Sequence, residues 1–337
     1  MKDLSLIVEP LLTWYEAERR ILPWREDPLP YHVWVSEIML QQTRVEAVID
    51  YYHRFLALFP DVKTLAEAEG DEVRALWQGL GYYRRCDLLH KAAKVVSETY
   101  DGEIPSDHKT LLSLPGIGRY TAAAILSIGF GKAYPAVDGN VLRVMARLCN
   151  NEDCIDDEAT KRRVEGELAK IMPSDRTSAF TQALMDLGAT VCLPNGEPKC
   201  SLCPWQGLCE GKDRAEELPI RKIKKPRAVQ DRTVFLFTCG DCVAIRKRPS
   251  RGLLAKMWEF PNEEGIRTEK EVLTAYPGVV TPLGRAKHIF SHIEWHMVGY
   301  RIEVKEPLPL DGVLWIKKEE IADYAIPSAF SCFKKQM

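Results

Sequence analysis

The decisive stretch of this chain reads Leu114-Pro115-Gly116-Ile117-Gly118-Arg119-Tyr120-Thr121. Two glycines after a proline predict a tight turn, and the small residues that follow predict a helix that starts directly after it. The N–H groups at such a helix start are bare, and the helix dipole adds partial positive charge there. The turn therefore favours a phosphate, with a plain helix–helix connection as the alternative. Because a small-residue helix and then Asp138 follow it, we expect Gly116 and Gly118 to bind a phosphate of a DNA backbone.

Helical patterns surround this turn on both sides. Apolar residues recur at helical spacing, with short turns between the helices, in the ranges 33–58, 88–96, 157–172 and 177–187. Residues 1–212 are therefore predicted to form an all-α domain.

Composition limits the possible functions. Of the 337 residues 46% are hydrophobic, which suits about two globular domains. The formal net charge is only −2, so any DNA-binding surface has to be local. No apolar stretch approaches the ~18 residues of a membrane span, and no signal-peptide pattern begins the chain. The ten cysteines are unevenly spaced, which suits a reducing compartment. We expect a cytoplasmic protein that does not bind membranes.

The character of the chain changes after Cys209. Residues 213–230 are polar and basic and are predicted to form a linker. Beyond it, residues 231–337 contain alternating apolar positions of the kind that predict strands, such as Ile293, Trp295 and Met297. A smaller α+β domain is therefore predicted to follow the helical one.

Four closely spaced cysteines end the helical domain, namely Cys192, Cys200, Cys203 and Cys209. Four thiolates this close suit a tetrahedral zinc ion or a [4Fe–4S] cluster. The thiolates alone leave both assignments open.

Two carboxyl groups lie in contrasting surroundings. Glu37 is set among apolar residues, and desolvation favours the neutral acid, which suits a general acid near pH 7. Asp138 stands beside Gly139 and Asn140, where hydrogen bonds are expected to hold it ionised. Such a pair is the division of labour that cleavage of a glycosidic bond uses.

Residues 1–212 resemble the helix–hairpin–helix, iron–sulfur DNA glycosylase superfamily, and within it the MutY family of adenine glycosylases. The matching segments cover nearly the whole first domain and, besides the cysteine array, are Pro23-Trp24-Arg25, residues 34–43, Gly79-Leu80-Gly81-Tyr82-Tyr83, Leu114–Thr121, Val137-Asp138-Gly139-Asn140-Val141 and Met185-Asp186-Leu187-Gly188-Ala189. The resemblance implies a helical glycosylase domain over 1–212, with the helix–hairpin–helix at about 104–128 and a cluster loop at 192–209. It also implies a Nudix-like domain that recognises 8-oxoguanine over 231–337.

The resemblance assigns roles to the polar residues. By it, Glu37 protonates adenine at N7, and Asp138 stabilises the oxocarbenium ion directly or through a transient covalent bond. Asn140 and Tyr120 support these two acids. Bifunctional relatives carry a lysine where this chain has Tyr120, and tyrosine cannot form a Schiff base. The enzyme is therefore expected to leave an abasic site without nicking the strand.

Further residues are expected to handle the substrate. By resemblance, Trp24, Arg25 and Gln182 border the adenine pocket, while an inserted set fills the gap left by the flipped base. The members of that set are Gln42, Thr43, Leu80 and Tyr82.

The cysteine spacing departs from the family pattern, because seven residues rather than six separate Cys192 from Cys200. The extra residue falls in a Pro- and Gly-containing stretch that can bulge, so a [4Fe–4S] cluster is still expected, with zinc as the alternative. In the second domain, Ser291 and His292 match the short motif that reads 8-oxoguanine. The Nudix catalytic box is missing after Trp258–Gly265, so pyrophosphate hydrolysis is not expected.

The resemblance thus predicts a monomeric, monofunctional adenine DNA glycosylase, associated with the nucleoid if bacterial. Its partner is double-stranded DNA that contains adenine opposite 8-oxoguanine or guanine. One alternative is an endonuclease III-like glycosylase for oxidised pyrimidines. Another is a non-catalytic iron–sulfur protein that only binds DNA.

Overall fold

A computed structural model describes residues 3–223 and 226–337 and shows two compact units. Lys224 and Lys225 of the predicted basic linker lie outside the described residues. The first unit contains residues up to 67 together with 88–223, and the second contains 68–87 together with the chain after the linker. No helix of the described residues is long and apolar enough to cross a membrane.

The regular secondary structure of the described chain up to residue 223 is all helical. In order the α-helices are α1 (Val8–Glu18), α2 (Pro23–Glu26), α3 (Pro30–Leu40), α4 (Val45–Leu58), α5 (Val62–Glu67), α6 (Gly70–Leu76), α7 (Arg84–Tyr100), α8 (His108–Ser113), α9 (Arg119–Ala124), α10 (Gly139–Leu148), α11 (Glu158–Ile171) and α12 (Thr177–Asp186). Prolines start α2 and α3, where the missing N–H costs nothing. One π-helical turn extends α9 over Ile125–Gly129, and another extends α12 over Leu187–Val191.

The core of the first unit fixes the position of α10. Every residue of this helix from Val141 to Leu148 is buried, and its apolar side chains pack with those of α1 and α12. A helix held on all sides cannot shift or tilt without opening the core. Asp138, which caps its N-terminus, is therefore held in a defined place.

The predicted hairpin forms between α8 and α9. Asp107 caps α8 by accepting a hydrogen bond from the Thr110 N–H at 2.8 Å. Gly116 has a φ of +79°, and a Cβ atom there would lie 2.7 Å from Leu88 Cβ, so the turn requires glycine. Gly118 is in an extended conformation with open space beside it.

The second unit is built on a mixed sheet of residues 228–317. Its strands are β1 (Ala228–Cys239), β2 (Cys242–Lys247), β3 (Trp258–Glu259), β4 (Asn262–Glu264), β5 (Val279–Ile289), β6 (Ile293–Glu303) and β7 (Val313–Lys317). The order is β3-β2-β1-β6-β5, with β4 paired to β1 and β7 to β2, and only β1 and β6 run parallel among these described pairs. The helices α13 (Glu269–Ala275) and α14 (Ser331–Lys334) accompany it.

The second half of strand β1, residues 233–238, is buried on both faces, as suits its continuous apolar run 234–237. Val234 and Leu236 contribute to one core, and Phe235 and Phe237 contribute to a second core on the opposite face. The segment 68–87 joins this unit through side-chain contacts. Lys247 pairs with Asp71 at 2.9 Å, and Gln78 donates a hydrogen bond to the Ile326 carbonyl at 3.4 Å.

Candidate active site

A cavity of about 780 Å³ opens in the first unit between α3, the α8–α9 hairpin, α10 and α12. Many of the residues predicted to act on DNA line it, namely Trp24, Arg25, Glu37, Gln42, Thr43, Gly116, Gly118, Tyr120, Asp138, Asn140 and Gln182. These residues come from five separate stretches of sequence, which the fold brings to one place.

Glu37 occupies the buried side of α3. Only 6% of the residue is exposed, and this burial raises the pKa of its carboxyl to about 7. The charge of Asp138 adds to the rise, whereas a hydrogen bond from Tyr120 and the charge of Arg25 oppose it. The group is therefore partly protonated at neutral pH, as a general acid has to be.

Tyr120 lies in the first turn of α9, directly after the hairpin glycines. Its hydroxyl makes a hydrogen bond with Glu37. Burial and the two nearby carboxyl groups hold the pKa of Tyr120 well above its usual value. The phenol therefore stays neutral and serves as a hydrogen-bond donor to the acid.

Asp138 caps the N-terminus of α10. Its Oδ1 accepts from the N–H groups of Asn140 at 2.9 Å and Val141 at 2.8 Å, and its Oδ2 accepts from Asn140 Nδ2 at 2.9 Å. Burial raises the pKa of Asp138 above its ordinary value, and these donors oppose that rise. The donors agree with the sequence expectation, but the upward direction was not foreseen, because the burial of a loop residue depends on tertiary packing.

Arg143 holds Asn140 in turn. Its Nη2 donates to Asn140 Oδ1 at 3.0 Å and to the Gly188 carbonyl at 2.7 Å, and its Nε donates to the Cys192 carbonyl at 3.0 Å. One guanidinium thus connects the residue beside Asp138 with the first cysteine of the array.

Arg25 is fixed by a buried carboxylate. Its Nη1 and Nη2 lie 2.7 and 2.9 Å from the two oxygens of Asp186, and Arg20 Nε donates to the same carboxylate at 2.7 Å. Although burial alone would raise it, the hydrogen bonds and charges of the two arginines lower the pKa of Asp186. Asp186 is 1% exposed and therefore needs both partners.

Gln182 lies on α12, and only the NH₂ group of its side-chain amide has a hydrogen-bond partner. Nε2 donates to Ser178 Oγ at 2.9 Å, whereas the buried Oε1 has no partner within the described residues. A buried acceptor without a donor is costly, and Gln182 lines the cavity, so this oxygen is a candidate acceptor for a group of the substrate.

The predicted inserting residues divide into two places. Gln42, at a φ of +60°, and Thr43 follow α3 and line the cavity. Leu80 and Tyr82 lie in the segment 68–87 of the second unit, where Leu80 is buried and Tyr82 is 47% exposed with a φ of +49°.

The four clustered cysteines line a second, smaller cavity together with Arg147 and Lys212. Arg147 Nη1 lies 3.3 Å from Cys192 Sγ. Within the described residues, no group of three or more His, Cys, Asp or Glu side chains is arranged to hold a single metal ion. The four thiols therefore share one cavity, with the Arg147 guanidinium beside Cys192.

Ser291 and His292 lie in the turn that joins β5 to β6. Both are exposed, and Ser291 Oγ lies 3.1 Å from His292 Nδ1. The turn is held from behind, because the Phe290 ring packs on Trp295 with centroids 5.0 Å apart and Arg227 Nε donates to the Phe290 carbonyl at 3.0 Å.

Sequence reasoning missed the residues that position others, namely Arg20, Arg143, Arg147 and Asp186. Asp186 carried a usable signal, because an acidic residue on the apolar face of a helix needs a cationic partner. The arginines carried none: the partners of Arg143 and Arg147 are mainly backbone carbonyls, and that of Arg20 is the distant Asp186, and only tertiary packing brings them near.

Two protein families match this chain, one in its helical part and one in its second domain. Residues 35–173 match the HhH-GPD superfamily of base excision DNA repair proteins, and residues 233–336 match the NUDIX domain family. Among solved structures, a thermostable thymine-DNA glycosylase is 28% identical with a TM-score of 0.58, covering 62% of this chain and 96% of that one. An endonuclease III–DNA complex, 24% identical with a TM-score of 0.54, covers 64% of this chain and all of its own, and supports the fold.

Curated relatives match over most of the length. The adenine DNA glycosylase of Rattus norvegicus is 34% identical over 97% of this chain and 77% of its own. That of Homo sapiens is 34% identical over 95% and 71%, and that of Buchnera aphidicola is 38% identical over 84% and 83%. With this identity over both domains, the chain belongs to the adenine DNA glycosylase family.

Proposed function

We propose that this enzyme hydrolyses the N-glycosidic bond of adenine mispaired with 8-oxoguanine or guanine in duplex DNA and leaves an abasic site. The observation that carries the proposal is the pairing of two carboxyl groups in one cavity. Glu37 has a pKa raised to about 7, while three hydrogen-bond donors surround Asp138. Burial raises the pKa of both carboxyls, but the three donors oppose that rise at Asp138 and favour its ionised form, so Glu37 is the acid and Asp138 the stabilising carboxylate.

Bond cleavage follows from that assignment. Glu37 gives its proton to N7 of the flipped adenine while the bond between C1′ and N9 breaks, so the electron pair leaves with the neutral base. The carboxylate of Asp138 stabilises the positive charge that develops on the sugar. Water then adds to C1′, and the proton it loses returns to Glu37. Tyr120 orients Glu37, and Asn140 orients Asp138.

The adenine pocket uses the remaining side chains around the cavity. The unpartnered Oε1 of Gln182 suits the exocyclic amine of adenine, which is a donor. Trp24 and Arg25 form the wall of the pocket. The ion pair with Asp186 keeps the Arg25 guanidinium from pairing with Glu37 instead.

Contacts with the duplex come from the turns. The open space at Gly118 lets a phosphate approach the N-terminus of α9. Gln42, Thr43, Leu80 and Tyr82 take the space that the flipped base leaves, which offsets a few kcal/mol of unstacking. The exposed hydroxyl of Ser291 bonds the altered edge of 8-oxoguanine, with His292 as its support.

The cysteine cavity fits a [4Fe–4S] cluster bound by Cys192, Cys200, Cys203 and Cys209. Arg147 and Lys212 beside the cavity offset the negative charge of four thiolates. When bound, the cluster supplies cross-links that fix the loop 192–209, and the hydrolysis itself needs no electron transfer. Iron and sulfide analysis of the purified protein separates this cluster from zinc.

Single-turnover release of adenine tests the activity. Duplexes with adenine opposite 8-oxoguanine, guanine or thymine are compared for the wild type and Glu37→Gln, with and without alkali. We expect fast release opposite 8-oxoguanine, loss of release in Glu37→Gln, and strand breaks only after alkali. Excision of oxidised pyrimidines with alkali-free nicks would favour the endonuclease III-like alternative, and no release from any duplex would favour a binding protein.

Ser291→Ala tests the reading of the opposite base. One lost hydrogen bond should reduce the preference for 8-oxoguanine over guanine by about tenfold. Equal preference in variant and wild type would contradict the role of Ser291.

A further inference from the structure

Arg221 lies beside the N-terminus of α10, the helix that Asp138 caps, although it belongs to the segment that leaves the helical unit. Gly139 lines the active-site cavity directly after Asp138. A Cβ atom at Gly139 would lie 3.5 Å from Arg221 Nη2, so the guanidinium rests against this stretch of backbone. Its charge also acts on Arg143, the residue that holds Asn140.

The backbone on both sides of Arg221 is anchored. The Ile155 N–H donates to the Ile220 carbonyl at 3.0 Å, and the Lys222 N–H donates to Asp156 Oδ2 at 2.9 Å. Bonds before and after one residue fix the direction in which its side chain leaves the chain. The side chain of Arg221 therefore starts from a fixed point of the backbone, and its guanidinium reaches Gly139.

The guanidinium retains donors for a ligand. Its contact with Asp156 is long, 3.9 Å from Nη1 to Oδ1, which exceeds hydrogen-bond distance. Within residues 3–223 and 226–337, its side chain donates no hydrogen bond. A guanidinium has five N–H donors in a planar fork that matches the oxygens of a phosphate.

We propose that Arg221 binds a phosphodiester that flanks the adenosine being excised. This inference rests on the proposed function, which brings C1′ of that nucleotide to Asp138. The phosphates on either side of the sugar must then pass close to Gly139, where the missing side chain leaves room for them. Arg221 is a positioning residue: it holds the flipped nucleotide against Asp138 and takes no part in proton transfer.

A chemical double-mutant cycle tests the contact. Binding is measured by fluorescence anisotropy with a duplex that carries a tetrahydrofuran abasic analogue opposite 8-oxoguanine, so the readout does not depend on catalysis. The enzymes are wild type, Arg221→Gln, Arg221→Lys and the control Arg163→Gln. Arg163 has similar exposure but is paired with Asp153 at 2.7 Å. In a second duplex series, a neutral methylphosphonate replaces the phosphate on the 5′ or 3′ side.

With natural phosphates, Arg221→Gln should weaken binding by about tenfold, as expected for a charge-assisted hydrogen bond. The slope of log affinity against log salt should fall by about 0.9. Arg221→Lys should restore the slope but not all of the affinity, and Arg163→Gln should resemble the wild type. One of the two methylphosphonates should make wild type and Arg221→Gln bind equally.

Additive effects of Arg221→Gln with both methylphosphonates, or an unchanged salt slope, would overturn the assignment. An unfolded variant is recognised by its thermal melt, and Arg221→Lys then carries the test. Failure of the proposed function looks different, because wild-type enzyme would then release no adenine from any duplex.

Discussion

Arg25 and Asp186 form a two-pronged ion pair in which Nη1 lies 2.7 Å from Oδ2 and Nη2 lies 2.9 Å from Oδ1. Asp186 is buried and accepts from Arg20 as well. Asp186→Asn leaves two guanidinium groups short of their counter-charge, so the free energy of unfolding should fall by about 3 kcal/mol at pH 7. Denaturant unfolding measures this, with the exposed Asp175→Asn as a control that should change little.

The sign of the pH dependence follows from the lowered pKa of Asp186. A carboxyl whose pKa is depressed on folding contributes stability above its unfolded pKa, and that contribution is lost as the pH falls through the folded value. The difference between wild type and Asp186→Asn should therefore narrow below about pH 3.8. A constant difference down to pH 2 would contradict the charged role of Asp186.

Glu37 shows the opposite dependence. Its pKa rises from 4.5 to about 7 on folding, so the native state binds more protons than the unfolded state between these values. The free energy of unfolding of the wild type should therefore fall by on the order of 3 kcal/mol as the pH rises through this window. Glu37→Gln carries no charge and should be more stable than wild type at pH 8, equally stable at pH 4, and inactive. Thermal melts at both pH values, together with single-turnover release, measure these effects.

Tyr120→Phe should shift the alkaline limb of the pH–activity profile to higher pH. Burial raises the pKa of Glu37, and the Tyr120 hydrogen bond opposes that rise. Without the hydroxyl the pKa goes higher, and the protonated acid persists to higher pH. The control is Tyr134→Phe, whose exposed ring stacks on His108. A limb that stays in place or moves to lower pH would show that Tyr120 does not act through Glu37.

Substitution of the two hairpin glycines should affect different properties: stability at Gly116 and DNA binding at Gly118. Gly116→Ala places a Cβ 2.7 Å from Leu88 Cβ at a positive φ, so stability should fall by about 1–3 kcal/mol. Gly118→Ala meets no protein atom and should melt like the wild type, but its methyl group occupies the space for a phosphate. Thermal melts and anisotropy titrations should therefore show one variant that is unstable and another that binds DNA weakly.

The local pattern by itself determined much of this protein. The glycine turn at 114–118, the helical periodicity around it and the apolar run of β1 depend on neighbouring residues, so the sequence displays them. Motif resemblance also indicated the polar residues that line one cavity in the structure.

Tertiary structure alone decided the remainder. The pKa of a carboxyl depends on what covers it, and the burial of Glu37 and Asp138 comes from segments about a hundred residues apart in the chain. The pairing of Arg25 with Asp186 spans 161 positions, and no short-range pattern records it. For the same reason the sequence showed Arg221 only as one basic residue of a linker, because its place beside Gly139 exists only when the chain folds back on itself.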